Sequence, residues 1–515
     1  MKVLLSWLNE YGDFGDPGDP DAVQRVADTL TSLGLEVDSV EEVGATVPGV
    51  VTARVLRLEQ HPDAAKVQRV YVDTGDGVEH HVWCGAFNMD VDDVVPLATL
   101  GTTMPNGMTI ERRGILGVDS EGMLCSASEL GLGDDHSGIH VLPADAPLGV
   151  PYGEALGLER DVLIDTDVTR NRPDCWGYVG IARDLAAKLG VEFRPPAPTL
   201  EVTGRELRAP VEIVDGDRCA RFTSTVISGV EVRPSAEWMA RRLAAAGMRP
   251  INNVVDVSNY VMLELNQPNH AYDLHTLGGG GFRVRLAREG EQLTTLDGEV
   301  RTFTSDDLFI CDADDVPIGV GGVMGGLDTE ISDRTTTIAL EMAWFSMVGI
   351  GRTVTRTNLR SEASARFERG VDPYGMPVAI ARFVELLSET CPDLVVHAGA
   401  ADARTDDLPA EHRTATVRIS EVNRILGTSL TADRLPELLD PIGYTVDGDG
   451  DVRTVELPTW RLDSTEEIDV IEEVARHHGY DRIGKTVPKS VVHGELSVRQ
   501  RRRRLVRDVL LGLGV

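Results

Sequence analysis

One stretch of the chain, residues 247–273, places many short polar side chains between apolar ones. Its polar members are Asn252, Asn253, Ser258, Asn259, Gln267, His270 and Asp273. Hydroxyl, amide, imidazole and carboxyl groups in such surroundings are expected to be buried and to need hydrogen-bond partners. The stretch therefore predicts a buried polar site. The alternative is a core in which these groups only satisfy one another.

Three downstream segments have the same dense and specific character: residues 318–326, 340–342 and 361–373. The first is rich in glycine and could be taken for a phosphate loop. A phosphate loop needs a following Lys and Ser or Thr, and a dinucleotide loop needs a helix directly after the glycines. Residues 327–330, Leu-Asp-Thr-Glu, supply neither clearly. The glycines either let the backbone approach a ligand closely or make tight turns.

An acidic segment late in the chain is a candidate metal site. Asp469 lies three and four residues before Glu472 and Glu473, so the three carboxylates are expected on one helical side, with Asp463 or Ser464 as the helix cap. A hard cation such as Mg²⁺ would relieve their repulsion. The alternative is a solvated helix whose N-terminal acids complement its dipole.

Length and composition limit the classes of protein to which the chain can belong. A chain of 515 residues predicts about three to five domains. A net charge of −33 argues against a surface that binds phosphate throughout, so any RNA contact must be local. The six cysteines are scattered without a Cys-x-x-Cys pair, which disfavours a zinc site or a disulfide framework. No signal peptide or membrane span is evident, so a soluble cytoplasmic protein without a membrane partner is expected.

The patterns between these segments predict a multidomain α+β chain. Apolar spacing predicts amphipathic helices at 22–33 and 178–189, and short alternating runs in 48–150 predict a small β-barrel. Prolines at 195–198 indicate a stiff linker. An α+β unit should follow, with a helix from Ser235 to Ala246. Helical patterns at 420–426 and 431–439 before a strand at 452–457 then suggest a winged-helix-like unit.

The four polar and glycine-rich segments together resemble the editing domain of the bacterial phenylalanyl-tRNA synthetase beta subunit. Residues 61–67 and 121–132 resemble the OB-fold tRNA-binding module of the same subunit and of stand-alone tRNA-binding proteins. OB-folds commonly hold nucleic acid on a face of basic and stacking groups. The supply of basic residues in this barrel is thin, so a packing or assembly role stays open.

The resemblance implies a domain order. It comprises a discontinuous N-terminal α/β domain (1–40 and 151–193), an inserted OB-fold β-barrel (41–150), an α+β tRNA-editing domain (200–402), a winged-helix-like domain (410–486) and the truncated start of a catalytic-like domain (490–515). Members of the family continue beyond that point. The arginine-rich segment 499–507 is read either as the start of that further domain or as a basic RNA-contacting tail.

The resemblance also implies a site that hydrolyses mischarged tyrosyl-tRNA. Its pocket residues would be Ser258, Asn259, His270, Gly325, Glu341, Ser361 and Ala363. In this assignment Glu341 and the backbone at Gly325 receive the tyrosine hydroxyl, and Ala363 leaves room for the ring. The other residues hold the ester and a water molecule. Ser258 and Ser361 stand where many relatives carry threonine.

The same resemblance implies partners. It gives Asp463, Asp469, Glu472 and Glu473 as Mg²⁺ ligands beside an alpha subunit, and tRNA contacts are expected at Lys66, Arg112 and Arg113. The complex would be an α₂β₂ heterotetramer that joins phenylalanine to tRNA(Phe) with ATP as substrate, the ligation site lying on alpha. Two rival functions remain: a stand-alone aminoacyl-tRNA deacylase, and a non-catalytic tRNA-binding or assembly module.

Overall fold

The computed structural model describes residues 1–44, 47–60, 66–115, 118–132, 136–157, 160–485 and 494–515. Within those ranges the protein is a mixed α+β chain whose strands form seven sheets. Its buried apolar side chains make one large core cluster and four smaller ones. None of the helices in these ranges is both long enough and apolar enough to span a lipid bilayer.

The first unit is a three-stranded antiparallel sheet covered by helices. In spatial order its strands are Lys2–Leu4, Asp161–Asp167 and Glu36–Val43. Its helices are Leu5–Leu8, Pro20–Ser32 and Tyr178–Leu189, with a 3₁₀ turn at Pro173–Trp176. The helix expected from residue 22 begins at Pro20, because proline suits the first helical position and the Asp19 side chain accepts the N–H of Asp21.

The segment between residues 44 and 160 leaves this sheet and returns to it at neighbouring positions, because Val43 pairs with Asp161. It forms a nearly closed barrel. The strand order is Glu79–Cys84, Gln68–Asp73, Val50–Gln60, Val94–Thr99, Gly122–Leu124, with a hairpin of Arg113–Ile115 and Val118–Ser120 and a helix Tyr152–Ala155. The outer edges approach each other where the N–H of Glu121 donates to the carbonyl of His81 at 2.9 Å.

The central unit consists of two larger sheets and their helices. The six-stranded sheet runs Gly204–Glu206, Val395–Ala398, Cys219–Ser228, Thr337–Phe345, Asn269–Asp273, with Ala401–Arg404 also beside Cys219–Ser228. The five-stranded sheet runs Val211–Ile213, Phe282–Leu286, Leu308–Asp312, Pro317–Val320, Met324–Gly325, and a hairpin joins Gln292–Thr294 to Val300–Thr302. The helices are Glu237–Ala245, Asn253–Leu265, Met347–Thr357, Glu362–Phe367 and Met376–Ser388, with 3₁₀ turns at Gly278–Gly280 and Leu327–Thr329.

The first and central units share the large core cluster. Trp7 of the first unit stacks between Tyr178, at 3.8 Å between ring centroids, and Tyr260 of the central unit, at 4.2 Å. Aromatic pairs at such distances stabilise beyond their buried area. The two units therefore pack as one body.

One helix boundary in the central unit needs correction, and the glycine-rich run proves to be a hairpin. The helix expected from Ser235 begins at Glu237, since the Ser235 hydroxyl donates instead to Asp256 at 2.5 Å. The glycine-rich run forms a β-hairpin, in which Gly319 pairs with Gly325. No α-helix follows it, so the hairpin lacks the geometry of a dinucleotide loop.

The third unit has its own core. Its sheet runs Arg413–Arg418, Val452–Leu457, Thr445–Asp447, and its helices are Ile419–Leu426, Arg434–Leu439 and Glu467–His478, with 3₁₀ turns at Asp440–Ile442 and Tyr480–Arg482. The two expected helices and the strand at 452–457 are present. The strands Arg413–Arg418 and Thr445–Asp447 were not expected.

The last element is a helix, Val498–Gly512, whose residues are all exposed. The Ser497 hydroxyl accepts the N–H of Gln500, and the Gln500 side chain accepts the N–H of Ser497. This reciprocal cap starts the helix locally without tertiary contacts.

Candidate active site

A small cavity of about 80 Å³ lies in the central unit. It is enclosed by the strand Asn269–Asp273, the glycine hairpin Pro317–Gly325 and the helix Glu362–Phe367, which we call the cavity helix. The lining residues are Pro268, Asn269, His270, Tyr272, Ile310, Gly319, Val320, Gly322, Val323, Met324, Gly325, Glu341, Ala363 and Phe367. Ligand pockets commonly measure several hundred Å³. Entry of an aromatic ring would therefore need side chains to shift, and the half-buried Met324 is flexible enough to do so.

Glu341 supplies a buried carboxyl group to this cavity. It stands opposite His270 across two antiparallel strands, and the Tyr272 hydroxyl donates to it at 3.1 Å. Burial raises the pKa of Glu341 to about 8, although the hydrogen bond from Tyr272 acts in the opposite direction. At neutral pH the group is therefore mostly a neutral carboxylic acid, which can both donate and accept a hydrogen bond.

His270 supplies a neutral imidazole. Burial lowers its pKa to about 4, so the ring is uncharged at neutral pH. Its ring contacts that of Tyr272 edge to face, with 4.4 Å between centroids. Its Nε2 atom is buried and has no hydrogen-bond partner among the described residues. A buried polar atom of this kind calls for a water or ligand partner.

Gly325 keeps the space beside this imidazole open. A Cβ atom at this position would lie 3.0 Å from Cε1 and 3.1 Å from Nε2 of His270. Gly322 serves the hairpin turn, where φ is +68° and an added Cβ would meet Ile350 at 2.8 Å. The hairpin thus approaches the imidazole closely because Gly325 carries no side chain.

Four of the seven expected pocket residues line the cavity, namely His270, Gly325, Glu341 and Ala363. The other three, Ser258, Asn259 and Ser361, are not among the lining residues. Ser258 donates to the carbonyl of Asn269 at 3.0 Å, and the Asn269 amide donates back to the carbonyl of Ser258 at 3.1 Å. Asn259 is half-buried on the same helix.

Ser361 connects the cavity helix to the glycine hairpin. Its hydroxyl donates to the carbonyl of Val323 at 2.6 Å and accepts the N–H of Ser364 at 3.0 Å. It is the N-cap residue of the cavity helix. In this structure Ser258 and Ser361 therefore position wall residues, and their assignment to catalysis stays a prediction.

Sequence reasoning did not single out Tyr272, Asn269 or Phe367 as lining residues. Tyr272 lies two residues after His270, and side chains two apart share a face of a β-strand. That periodicity could have found it once the segment was recognised as a strand. Phe367 lies four residues after Ala363, which places both on one side of the cavity helix.

The acidic helix Glu467–His478 does not present its carboxylates as one cluster. Its N-cap is Glu466 rather than Asp463 or Ser464. Asp469 turns back to accept the N–H groups of Thr465 and Glu466 at 2.7 and 2.8 Å. Glu472 is exposed. Capping hydrogen bonds thus engage Asp469 at the helix start, and a metal site shared with Glu472 and Glu473 stays a prediction.

Glu473 is buried between two arginines. It pairs with Arg461 at 2.8 Å and with Arg476 at 2.6 Å, and Asp463 also pairs with Arg461 at 2.8 Å. Burial alone would raise the pKa of Glu473, but these two arginines hold it below its usual value. No group of three or more His, Cys, Asp or Glu side chains able to hold a metal occurs in the described ranges. These acids therefore do not fit a magnesium site built by this chain alone.

The barrel residues expected to contact tRNA are exposed but sparse. Lys66 and Arg113 are exposed. Arg112 lies 4.0 Å from Asp119 and 3.7 Å from Glu121, which offsets its charge. Residues 61–65 of the segment that resembles the tRNA-binding module lie outside the described residues. The expectation of RNA contact here stays a prediction.

Comparisons with known protein families agree with this division of the chain. Residues 50–151 match a putative tRNA binding domain, residues 218–392 a B3/4 domain and residues 415–480 a tRNA synthetase B5 domain. The cavity residues from His270 to Phe367 fall within the B3/4 match.

Two curated relatives are phenylalanine–tRNA ligase beta subunits. The protein of Anaeromyxobacter dehalogenans is 43% identical over 495 residues, covering 96% of this chain and 60% of the relative. The protein of Geobacter metallireducens is 41% identical over 518 residues, covering 100% of this chain and 63% of the relative. The chain thus spans about three fifths of their length.

A solved structure, an N-terminal fragment of the phenylalanyl-tRNA synthetase beta subunit from Pyrococcus horikoshii, covers 62% of this chain and 87% of its own at 14% identity with a TM-score of 0.34. That score is too low to establish a shared fold. The sequence identities and the three domain matches are sufficient to assign the family. The chain belongs to the family of bacterial phenylalanine–tRNA ligase beta subunits.

Proposed function

We propose that this chain binds tRNA(Phe) and hydrolyses tyrosyl-tRNA(Phe) in the cavity of the central unit. The observation that carries the proposal is a buried, neutral carboxyl group, Glu341, facing an imidazole with an unpartnered Nε2, His270, in one small cavity. The B3/4 match over 218–392 supports the same location.

The proposed assembly is an α₂β₂ heterotetramer in which the alpha subunit ligates phenylalanine to tRNA(Phe) with ATP and Mg²⁺. The names of the relatives support a beta role. The proposed domains are 1–40 with 151–193, 41–150, 200–402, 410–486 and 490–515, the last as the start of a catalytic-like domain. Any Mg²⁺ would accompany ATP on the alpha subunit, because the acids of the helix Glu467–His478 are engaged within this chain.

Selectivity for tyrosine would come from the hydroxyl group by which it differs from phenylalanine. A site that hydrogen-bonds a substrate hydroxyl discriminates strongly against an analogue that lacks it, because the polar groups of the site are then left unpaired. Glu341 is the buried group that can accept that hydroxyl. Ala363 leaves room for the ring, since any larger side chain on that turn of the cavity helix would enter the cavity.

Hydrolysis would use a positioned water molecule. None of the described cavity-lining side chains is a serine, threonine or cysteine, and the Tyr272 hydroxyl is engaged with Glu341, so water is the available nucleophile. With a pKa of about 4, His270 is a weak base, and its Nε2 would hold the water rather than remove its proton completely. The water oxygen bonds to the ester carbon, the bond from that carbon to the ribose oxygen breaks, and one proton of the water passes to the ribose oxygen as free tyrosine leaves. Proximity supplies much of the acceleration.

The deciding experiment compares wild type with Ala363→Trp. The tryptophan should fill the cavity and reduce tyrosyl-tRNA(Phe) deacylation by at least about 100-fold. Aminoacylation by a full-length complex carrying the same change should stay within about twofold, because its active site lies on the alpha subunit. Wild-type deacylation by the variant would show that the site lies elsewhere.

The two rival functions make different predictions. A stand-alone deacylase would hydrolyse tyrosyl-tRNA without co-purifying with an alpha subunit. A non-catalytic tRNA-binding or assembly module would bind tRNA or alpha and leave tyrosyl-tRNA intact. The barrel arginines and the terminal helix are exposed. The non-catalytic tRNA-binding function is therefore tested as well.

A further inference from the structure

A broad groove of about 570 Å³ lies where the first unit meets the central unit. Its floor is the helix Met347–Thr357, which we call the groove helix. Its lining residues are Arg170, Asp306, Met347, Val348, Gly351, Arg352, Thr355, Arg356, Arg360 and Glu368. Four arginines and two carboxylates line it, so its formal charge is positive in a chain whose net charge is −33.

Three arginines share one buried carboxylate at one end of the groove. Glu368 lies 3.8 Å from Arg170, 3.8 Å from Arg360 and 3.0 Å from Arg369, and its side chain is only 5% exposed. Burial lowers the pKa of Arg369, and the neighbouring Arg170 and Arg360 lower it further. One carboxylate cannot neutralise three guanidinium groups, so positive charge is left over.

The leftover charge faces solvent. The side chains of Arg170 and Arg360 are 75% and 66% exposed. Arg352 on the groove helix is exposed and makes no ion pair within 4.0 Å with a described residue; it only interacts at longer range with Asp306, which Arg218 and Arg356 already share. Arg356 is balanced by the buried Asp307 and by Asp306 at 3.7 Å. The free positive charge therefore belongs to Arg170, Arg352 and Arg360.

The groove adjoins the candidate active site. The cavity helix is six residues long, or about 9 Å, and Ala363 and Phe367 on it line the cavity. Arg360 precedes this helix, and Glu368 with its arginines follows it. The groove helix also lies against the glycine hairpin, since a Cβ added at Gly322 would meet Ile350 at 2.8 Å. The groove therefore borders the elements that line the cavity.

We propose that Arg170, Arg352 and Arg360 form a phosphate-binding surface that holds the 3′ end of tRNA while its terminal ester enters the cavity. Guanidinium groups pair well with phosphate oxygens. Contacts with phosphates position RNA without reading its sequence, which suits an acceptor end. The proposal rests on the proposed function for its biological meaning, but the binding of non-acylated tRNA tests it separately.

The test uses the full 515-residue chain and a labelled, non-acylated tRNA(Phe), with fluorescence anisotropy at 50 to 200 mM KCl. The triple variant Arg170→Gln, Arg352→Gln and Arg360→Gln should bind about tenfold more weakly. The slope of log affinity against log salt should become shallower by about 2 to 3, since binding no longer releases the counterions of the phosphates that the three arginines neutralised.

A matched control replaces Arg208, Arg241 and Arg288 by glutamine. These are also exposed arginines of the central unit, but each is paired with a carboxylate. The control should bind within about twofold of wild type. A third variant with Arg501, Arg502 and Arg503 changed to glutamine tests the exposed terminal helix. Circular dichroism should give the same melting midpoint for all three variants.

Deacylation kinetics separate the two proposals. If both are correct, the groove variant raises KM for tyrosyl-tRNA about tenfold and leaves kcat near the wild-type value. Wild-type affinity and an unchanged salt slope in the groove variant would overturn the phosphate surface while leaving hydrolysis intact. Loss of binding only in the terminal-helix variant would overturn it as well. Binding through the groove without any wild-type deacylation would instead overturn the proposed function.

Discussion

Burial acts in opposite directions on Glu341 and His270, because the acid is neutral when protonated and the imidazole is neutral when deprotonated. The pKa of Glu341 is raised to about 8 and that of His270 is lowered to about 4. At neutral pH the cavity therefore carries little charge. Such a cavity can accept an uncharged ring while a directional hydrogen bond recognises the hydroxyl.

The raised pKa of Glu341 predicts a pH-dependent stability difference. The folded state keeps this proton up to about pH 8, whereas the unfolded state releases it near pH 4.5. Stability contributed by the protonated group is therefore lost as pH rises between these values, by at most about 1.4 kcal/mol per pH unit. Glu341→Gln lacks this titration, so its melting midpoint should rise relative to that of wild type as the pH increases from 5 to 8. A constant difference between the two proteins across that range would contradict the raised pKa.

Gly325 gives a second prediction at the residue scale. A methyl group at this position would lie 3.0 to 3.2 Å from the His270 ring and Leu296, so the ring must shift. Gly325→Ala should lower kcat/KM for tyrosyl-tRNA deacylation by about 10- to 100-fold, since small displacements at a reacting centre are costly. Gly484→Ala is the control, because its Cβ would meet nothing within 4 Å. Equal activity of the two variants would place the reacting groups away from this glycine.

Residue identities alone could not separate lining from supporting roles. Ser258 and His270 looked equally suited to chemistry in the sequence, yet only His270 reaches the cavity. The hydroxyl of Ser258, on the helix Asn253–Leu265, instead donates to the backbone of the strand Asn269–Asp273. That arrangement depends on how the helix Asn253–Leu265 packs against the strand Asn269–Asp273. The spacing of residues along the chain does not predict this packing.

At the scale of elements, helices were easier to foresee than short strands. The helix Ile419–Leu426 ends at Gly427, whose positive φ of +67° makes it a C-cap, and its apolar periodicity was visible. The strand Arg413–Arg418 is short and has only two apolar residues, Ala415 and Val417, so its alternation is a weak signal and it was not predicted. A strand is stabilised by its partner, here Val452–Leu457, whereas a helix satisfies most of its own hydrogen bonds.

The acidic helix Glu467–His478 yields a prediction about what its carboxylates do. Glu473→Gln should destabilise the third unit by about 3 to 5 kcal/mol, because it leaves two buried arginines without their shared anion. Asp469→Asn should cost about 1 kcal/mol through loss of the cap. The exposed Glu472→Gln should have almost no effect. Urea unfolding followed by circular dichroism measures these differences.

Metal removal checks the same helix. The melting midpoint of wild type should be equal in 5 mM EDTA and 5 mM Mg²⁺, since arginines and backbone N–H groups already satisfy these acids. A higher melting midpoint in Mg²⁺ than in EDTA, absent from the Asp469→Asn variant, would support the magnesium site that the family resemblance implies.

The whole molecule is held together by charged groups distant in sequence. Asp184 of the first unit accepts from Arg172 at 2.7 Å and from Arg476 of the third unit at 2.5 Å, and Lys188 donates to the carbonyl of Arg476 at 2.8 Å. Arg172, Asp184 and Arg476 are buried, so each of them would be costly to leave unpaired. The domain order was implied by the family resemblance. The docking of the units could not be predicted, because Asp184 and Arg476 are nearly 300 residues apart in the chain.

The inserted barrel allows a test of this architecture. Val43 and Asp161 are paired across two antiparallel strands, where Cα atoms lie only about 4.5 to 5.5 Å apart. Replacing residues 45–159 by Asn-Gly should therefore close a short hairpin without strain. The barrel core clusters are separate from the large core cluster. The shortened chain should fold and retain a melting transition within about 5 °C of the corresponding wild-type transition.

The same shortened chain separates the two surfaces that could hold RNA. If the barrel contributes only a few phosphate contacts, tRNA affinity at low salt should fall modestly, and the residual binding should still depend on Arg352 and Arg360. A matched full-length variant with Lys66, Arg112 and Arg113 changed to glutamine should then reproduce most of that modest loss. Complete loss of binding in the shortened chain would assign the RNA to the barrel. Aggregation of the shortened chain would show that the first sheet needs the barrel to form, contrary to the pairing of Val43 with Asp161 across its base.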